Sequence, residues 1–139
     1  ASEVAHVQSC LYHYLNLGSR QWSAYIENEE EVNLKKYLYV VRPAMAIRWI
    51  RMQPDALPPM NFYELKQGVD LPTEVAEPLG ELISRKRESR EMGKGASVPE
   101  INRFILAEFD WAREAVGKLK SDKTVKYDRV DELFRSLIK

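Results

Sequence analysis

The chain has one cysteine, Cys10, among 139 residues, which excludes an internal disulfide framework and makes a reducing compartment, the cytoplasm, the expected setting. No hydrophobic run approaches the roughly 20 residues of a membrane span, so no membrane partner is expected. Net charge is missing too: 21 Lys and Arg balance 21 Asp and Glu, so any basic surface must be local. Sustained alternation of apolar and polar residues with β-branched enrichment, the mark of a half-buried strand, does not occur. Internal repeats and low-complexity tracts are also lacking. These absences point to the all-α class, and 139 residues make one domain with a sizeable core.

The most informative stretch covers residues 35–50. On a helical wheel Leu34, Leu38, Val41, Met45, Arg48 and Met52 share one narrow arc, and most of the remaining circumference is apolar as well. A helix apolar nearly all round belongs at the centre of a packed domain. The spacing therefore predicts a central helix over about residues 32–53. Two arginines and a proline interrupt it. A mid-helix proline costs roughly 3 kcal/mol, and an unpaired desolvated guanidinium is costly as well, so Arg42, Pro43 and Arg48 mark where function is to be sought.

Upstream, a helix is predicted from Ser2 to about Leu17, with Val4, Val7, Leu11, Tyr14 and Leu15 on one face. Gly18-Ser19 either ends it or only weakens it, so the further helical piece over residues 20–26 is either separate from the first or continuous with it. Glu29-Glu30-Glu31 reads as a solvated connector. Residues 54–59, with three prolines, form a loop. Asn61 with Glu64 approximates a capping box for a short helix that Gly68 stops. Asp70 and Pro72 open the next helix, where Val75, Leu79, Leu82 and Lys86 share a face, Pro78 introduces a bend, and Met92 lies near the end. After Gly93-Lys94-Gly95, Ser97-Val98-Pro99-Glu100 offers a capping serine, an early proline and a first-turn acid, the clearest helix start in the chain. A final amphipathic helix is expected to carry Val130, Leu133, Phe134, Leu137 and Ile138. The sum is a largely antiparallel bundle of about five helices around the central one.

Several residues could carry chemistry. His6, Cys10 and His13 sit at i, i+4 and i+7 and are zinc-competent types, yet no fourth ligand is identifiable, and such residues commonly pack at the edge of an apolar stripe. Both histidines precede every arginine, which disfavours a small ribonuclease of the Arg-then-His type. Arg48 lies on the apolar arc and must be neutralised: Glu108, amid the apolar face of Ile101, Ile105, Ala112 and Ala115, offers a structural ion pair, and a phosphate is the alternative. Arg42 lies about 120° from Arg48 round a straight helix, on the strip of Lys35, Tyr39 and Trp49, so the two are not assigned to one ligand. Arg85, Lys86, Arg87, Arg90 and Lys94 are the most basic stretch, diluted by Glu88 and Glu91. They are either a solvated helix end that complements the dipole or a contact for phosphate or RNA.

Lys35-Lys36-Tyr37, Arg42-Pro43 and Arg48-Trp49 within residues 34–50, with His13-Tyr14-Leu15 upstream, then Pro58-Pro59-Met60-Asn61-Phe62, Leu65, Leu82-Ile83 and residues 99–109, resemble the C-terminal part of a known family. It is a bacterial and phage family of nucleotidyltransferases, relatives of DNA polymerase β associated with RNA repair. The resemblance implies that an N-terminal α/β part does the chemistry, where a Gly-Ser turn grips a nucleoside triphosphate and an Asp-x-Asp pair with a third carboxylate holds magnesium ions. This chain contains no Asp-x-Asp, and Gly18-Ser19 lies in helical surroundings with no strand or carboxylate pair after it.

The chain is therefore expected to be a single helical domain over residues 1–139 and the C-terminal portion of a longer enzyme, in keeping with Ala rather than Met at position 1. No cofactor is expected in this chain; magnesium and nucleoside triphosphate belong to the full-length parent, and the chain alone is expected to be inactive. By the resemblance Lys36, Arg42 and Arg48 are candidates to reach nucleotide or RNA phosphates, with Arg85 and Arg87 added from the basic stretch, while Tyr37 and Trp49 pack or stack nearby. The partners implied are the N-terminal catalytic region and RNA, with a homodimer also open. The competing reading is a self-contained helical interaction or RNA-binding module that shares ancestry only.

Overall fold

Asn33 sets the start of the central helix. Its extended backbone places Oδ1 to accept from the N–H groups of Lys35 and Lys36 at 3.1 and 3.2 Å, satisfying donors that the first turn leaves without partners. The computed structural model describes residues 2–54, 56–88 and 93–125, with side chains described between residues 9 and 118 of those spans. In chain order the elements are α1 (Ser2–Tyr25), β1 (Glu31–Asn33), α2 (Leu34–Met52), α3 (Phe62–Gly68), α4 (Thr73–Glu88), β2 (Lys94–Ala96) and α5 (Pro99–Val125). The class is all-α, and α2 is its hub, touching α1, α3, α4 and α5.

The apolar circumference of α2 explains that position. Tyr37, Val40, Val41, Ala44, Met45 and Ile47 are each fully buried, and Leu34, Leu38 and Ile50 nearly so. Met52, on the same arc but at the last residue of the helix, is exposed. Around this rod pack Leu11 and Leu15 of α1, Leu65 of α3, Val75, Leu79 and Leu82 of α4, and Ile101, Ile105, Phe109 and Ala112 of α5. Lys86 continues the α4 stripe in sequence but stands exposed in the last turn.

One open reading is settled and one expectation is corrected. First, α1 runs unbroken through Gly18-Ser19. A Cβ built on Gly18 would lie 2.5 Å from Phe109 Cζ and 3.0 Å from Pro43 Cβ, so this glycine is where α1 comes closest to both α2 and α5. Second, β1 and β2 form a small antiparallel ribbon with Val32 opposite Gly95, which moves the start of the central helix to Leu34. Three residues are too few for an alternating pattern to register in sequence. Backbone bonds extend the tie on both sides: Leu34 N–H donates to Gly93 O at 3.1 Å and Ser97 N–H to Glu30 O at 3.3 Å.

Other local signals act through different atoms than their pattern implied. Asn61 caps α3, accepting from Tyr63 N and Glu64 N at 2.8 and 3.2 Å. Helix α5 opens on Pro99, but the Ser97 hydroxyl accepts from the Asn102 side-chain amide at 3.3 Å. The final helix expected beyond residue 126 lies outside the described residues. Among those described, no helix is long and apolar enough to cross a membrane.

Gly18 and Gly117, both inside helices, are expected to respond oppositely to a methyl group. Gly117 has nothing within 4 Å of a Cβ, so Gly117→Ala is expected to gain about 0.5–1 kcal/mol through helix propensity. Gly18→Ala is expected to lose about 1–3 kcal/mol through overpacking against Phe109, outweighing the same propensity gain. Urea midpoints at unchanged m-value measure both.

Candidate functional site

Arg42 stands on the solvent side of α2, one turn beyond Leu38 and Tyr39. Its guanidinium donates to the backbone carbonyl of Met60, which fixes it against the loop that leads into α3. The Asn61 cap turns the chain there, so that Phe62 and Tyr63 follow at the first helical turn. The last turns of α4 close the far side with Ile83, Lys86 and Arg87. The enclosed cleft measures about 460 Å³. Its lining includes the apolar surfaces of Leu38, Phe62 and Ile83 and the three cations Arg42, Lys86 and Arg87, and no Asp or Glu is among the described residues that line it. On a chain of zero net charge this is a concentrated local positive field. Guanidinium forks and an ammonium over an apolar floor are suited to phosphate oxygens.

Arg48 faces the other way. Its Nη1 donates to Glu108 Oε2 at 3.2 Å, its Nε to Val69 O at 2.8 Å and its Nη2 to Asp70 O at 3.2 Å. Three of its nitrogens are thus taken up in joining α2 to α5 and to the turn after α3. Arg51, which the sequence reading passed over, donates to the same Oε2 at 2.8 Å. Its spacing of three from Arg48 was the signal that both reach one side of the helix. Glu108 is 2% exposed, and burial pushes its carboxyl above the ordinary range while the two guanidiniums pull it back. A second cleft of about 330 Å³ beside this triad mixes Arg48, Arg51 and Arg103 with Glu74, Glu100 and Glu108, so its charge has no single sign.

Tyr37 is a packing residue. Fully buried, its hydroxyl accepts from Val98 N–H at 3.1 Å and donates to the Asn102 side-chain oxygen, so it organises the start of α5 from within α2. Burial pushes its pKa up to about 12. Trp49 lies half-buried against Gly68, where a Cβ would come within 2.0 Å of Cζ3, and it lines neither cleft. Lys36 Nζ rests over the rings of Tyr25 and Tyr39, 4.8 and 5.3 Å from their centroids, beside the cationic cleft but outside its lining. Arg85 is exposed and outside it too, because residues consecutive in a helix fan out by about 100° each. Arg90 falls outside the described residues.

The rings at the cleft are instead Tyr39 and Tyr63, 39% and 55% exposed, with Phe62 between wall and floor. Sequence reasoning did not single out Phe62-Tyr63; their signal was an aromatic pair directly after a capping residue and a proline-rich loop. The His6 side chain lies outside the described residues. Cys10 is partly buried, which pushes its thiol up, away from the reactive thiolate, and His13 meets Tyr14 edge-on at 5.5 Å between centroids. Among the described residues no group of three His, Cys, Asp or Glu is placed to hold a metal ion.

An all-α domain with a cationic cleft is the class of protein that this geometry defines. The particular family follows from comparison: the chain matches the RNA repair pathway DNA polymerase beta family, RlaP, over residues 1–136, and it belongs to that family. It is 33% identical over 137 residues to the uncharacterized protein YcgL of Bacillus subtilis (strain 168), a match that takes in 99% of this chain and 51% of the relative. The chain thus spans about half the length of that curated relative. No solved structure matches it.

Two buried polar contacts yield expectations. Between pH 10 and about 12 the unfolded chain loses the Tyr37 proton while the folded chain keeps it, so stability is expected to fall as pH rises through that window. Tyr37→Phe is expected to flatten that part of the slope in urea titrations and, at neutral pH, to cost about 1–2 kcal/mol for the partners left at Val98 and Asn102. Arg48→Met with Arg51→Met is expected to destabilise by roughly 3 kcal/mol, because Glu108 is left buried with neither guanidinium, whereas adding Glu108→Leu recovers part of the loss.

Proposed function

We propose that this chain is the helical, substrate-holding part of a nucleotidyltransferase that serves RNA repair, acting beside a separate catalytic part that holds magnesium and a nucleoside triphosphate. The observation that carries this reading is the meeting of Arg42 with Lys86 and Arg87 in one cleft, in a chain of the RNA repair polymerase β family. Nucleotidyl transfer needs metal-bound carboxylates on the reacting oxygens and cations that position the remaining phosphates. The second requirement suits this cleft. The first does not suit this chain: it has no Asp-x-Asp, and Gly18, the first residue of its Gly-Ser pair, is in mid-helix against Phe109, where no turn is available to wrap a triphosphate. The division of labour follows, with positioning here and chemistry in the partner region, in the cytoplasm where nucleotides and RNA are at hand.

The test compares two proteins. Incubated with labelled nucleotides, magnesium and RNA acceptors, the 139-residue chain is expected to give no product. The protein extended by the residues its reading frame encodes upstream of Ala1 is expected to transfer nucleotide, with Arg42→Ala lowering kcat/KM by about tenfold or more through loss of a charged hydrogen bond. Robust product from the chain alone, or an extended protein inert toward all four nucleotides, overturns the reading.

A further inference from the structure

The cationic cleft combines two features that phosphate binding alone does not require. Its rim carries exposed rings, Tyr63 at 55% and Tyr39 at 39%, and its lining has no carboxylate among the described residues. We propose that the cleft holds single-stranded RNA, a phosphodiester lying on Arg42, Lys86 and Arg87 with the adjoining base stacked on Tyr63, and that magnesium-bound nucleoside triphosphate is not its ligand. This inference rests on the reading of the chain as part of an RNA-directed nucleotidyltransferase.

Each half of the assignment has a physical reason. A nucleoside triphosphate arrives with magnesium, an ion whose protein ligands are carboxylates, and none lines this cleft among the described residues. A phosphodiester carries a single charge, brings no obligatory metal, and is satisfied by guanidinium and ammonium donors. Proteins that bind single strands pair cations along the backbone with aromatic rings on which bases stack. The lining here has that composition. Lys36 occupies the space over Tyr39, so Tyr63 is the freer platform. Met60, 80% exposed, continues the apolar surface at the point where its carbonyl holds Arg42. That hydrogen bond prepares the guanidinium before ligand arrives, which removes part of the ordering cost of binding. A volume of about 460 Å³ admits a nucleotide-sized group. Duplex RNA is recognised across a wide groove, by shape and without stacked single bases.

The test measures fluorescence anisotropy of labelled single-stranded oligouridylate and oligoadenylate with the full chain over a series of salt concentrations. Duplex RNA and magnesium-ATP serve as competitors. Single strands are expected to bind, and neither competitor to displace them at equal phosphate concentration. Lys86→Ala with Arg87→Ala is expected to lower affinity about tenfold and to flatten the log–log salt slope by about 0.7 for each phosphate that is no longer neutralised. Tyr63→Leu is expected to lower affinity about tenfold with the salt slope unchanged, the signature of missing stacking rather than missing charge. Arg85→Ala, outside the cleft, leaves affinity within twofold. All four positions are exposed, and circular dichroism checks that each variant is folded.

Absence of binding, an unaltered affinity in Tyr63→Leu, or displacement by magnesium-ATP overturns the inference. If the extended protein transfers nucleotide while these cleft variants bind RNA normally, the RNA site falls and the nucleotidyltransferase reading stands. If RNA is held through the cleft by an extended protein that transfers nothing, the reverse holds.

Discussion

Burial of α2 on nearly every side is the constraint on which the rest of the structure depends. A helix enclosed by four others leaves its polar groups little water, so most of them find a protein partner or stand at the open strip, while Trp49 Nε1 stays buried without a hydrogen-bond partner. Tyr37 meets the start of α5, Arg48 meets Glu108 and two carbonyls, and Arg42 occupies the open strip. The positions of the neighbouring elements follow from these requirements. The first turn of α5 lies where the Tyr37 hydroxyl can bond to it, and the turn after α3 presents the carbonyls of Val69 and Asp70 to Arg48.

The two arginines of α2 illustrate how position round one helix separates structure from function. They are chemically identical and six residues apart, yet one is committed to the interior and the other stands at the rim of the cationic cleft. The interior one holds a buried carboxylate and offsets part of the upward push of burial on it, and Arg51 shares that task from the next turn. The outer one keeps donors to spare because a single backbone carbonyl suffices to orient it. Net charge says nothing of this, since the 21 acidic residues cancel the 21 basic ones only in the sum, not in space.

What was legible in the sequence was whatever depends on neighbours a few residues apart. The periodicity of residues 34–50 located the hub, Asn61 announced α3, and Pro99 announced α5. What was hidden depended on partners distant along the chain. Gly18 reads as a break in isolation, and only the approach of Phe109 and Pro43 makes a side chain there intolerable. Gly95 opposite Val32 left no pattern at all. Arg42 was visible as an oddity within its helix, whereas the cleft that it borders needs Tyr63 from α3 and Arg87 from α4. Trp49 shares the strip of Arg42 on the wheel, yet it packs at Gly68 while Tyr63 reaches the cleft from another element. The backbone at Gly68, not the helix phase, decides where Trp49 lies.

The ribbon between β1 and β2 has a topological consequence. By joining the residues just before α2 to those just before α5, it brings the two ends of one excursion of the chain together, and α3 and α4 lie wholly inside that excursion. The basic end of α4 is consequently part of a closed loop clasped at its base, in the manner of a buckle on a strap. Within the strap α2 and the inward faces of α3 and α4 belong to the core, so only its exposed stretches can change length while the buckle and the helices keep their places. The wall that carries Lys86 and Arg87 is therefore the part of this architecture freest to be resized for a different strand, without redrawing the core.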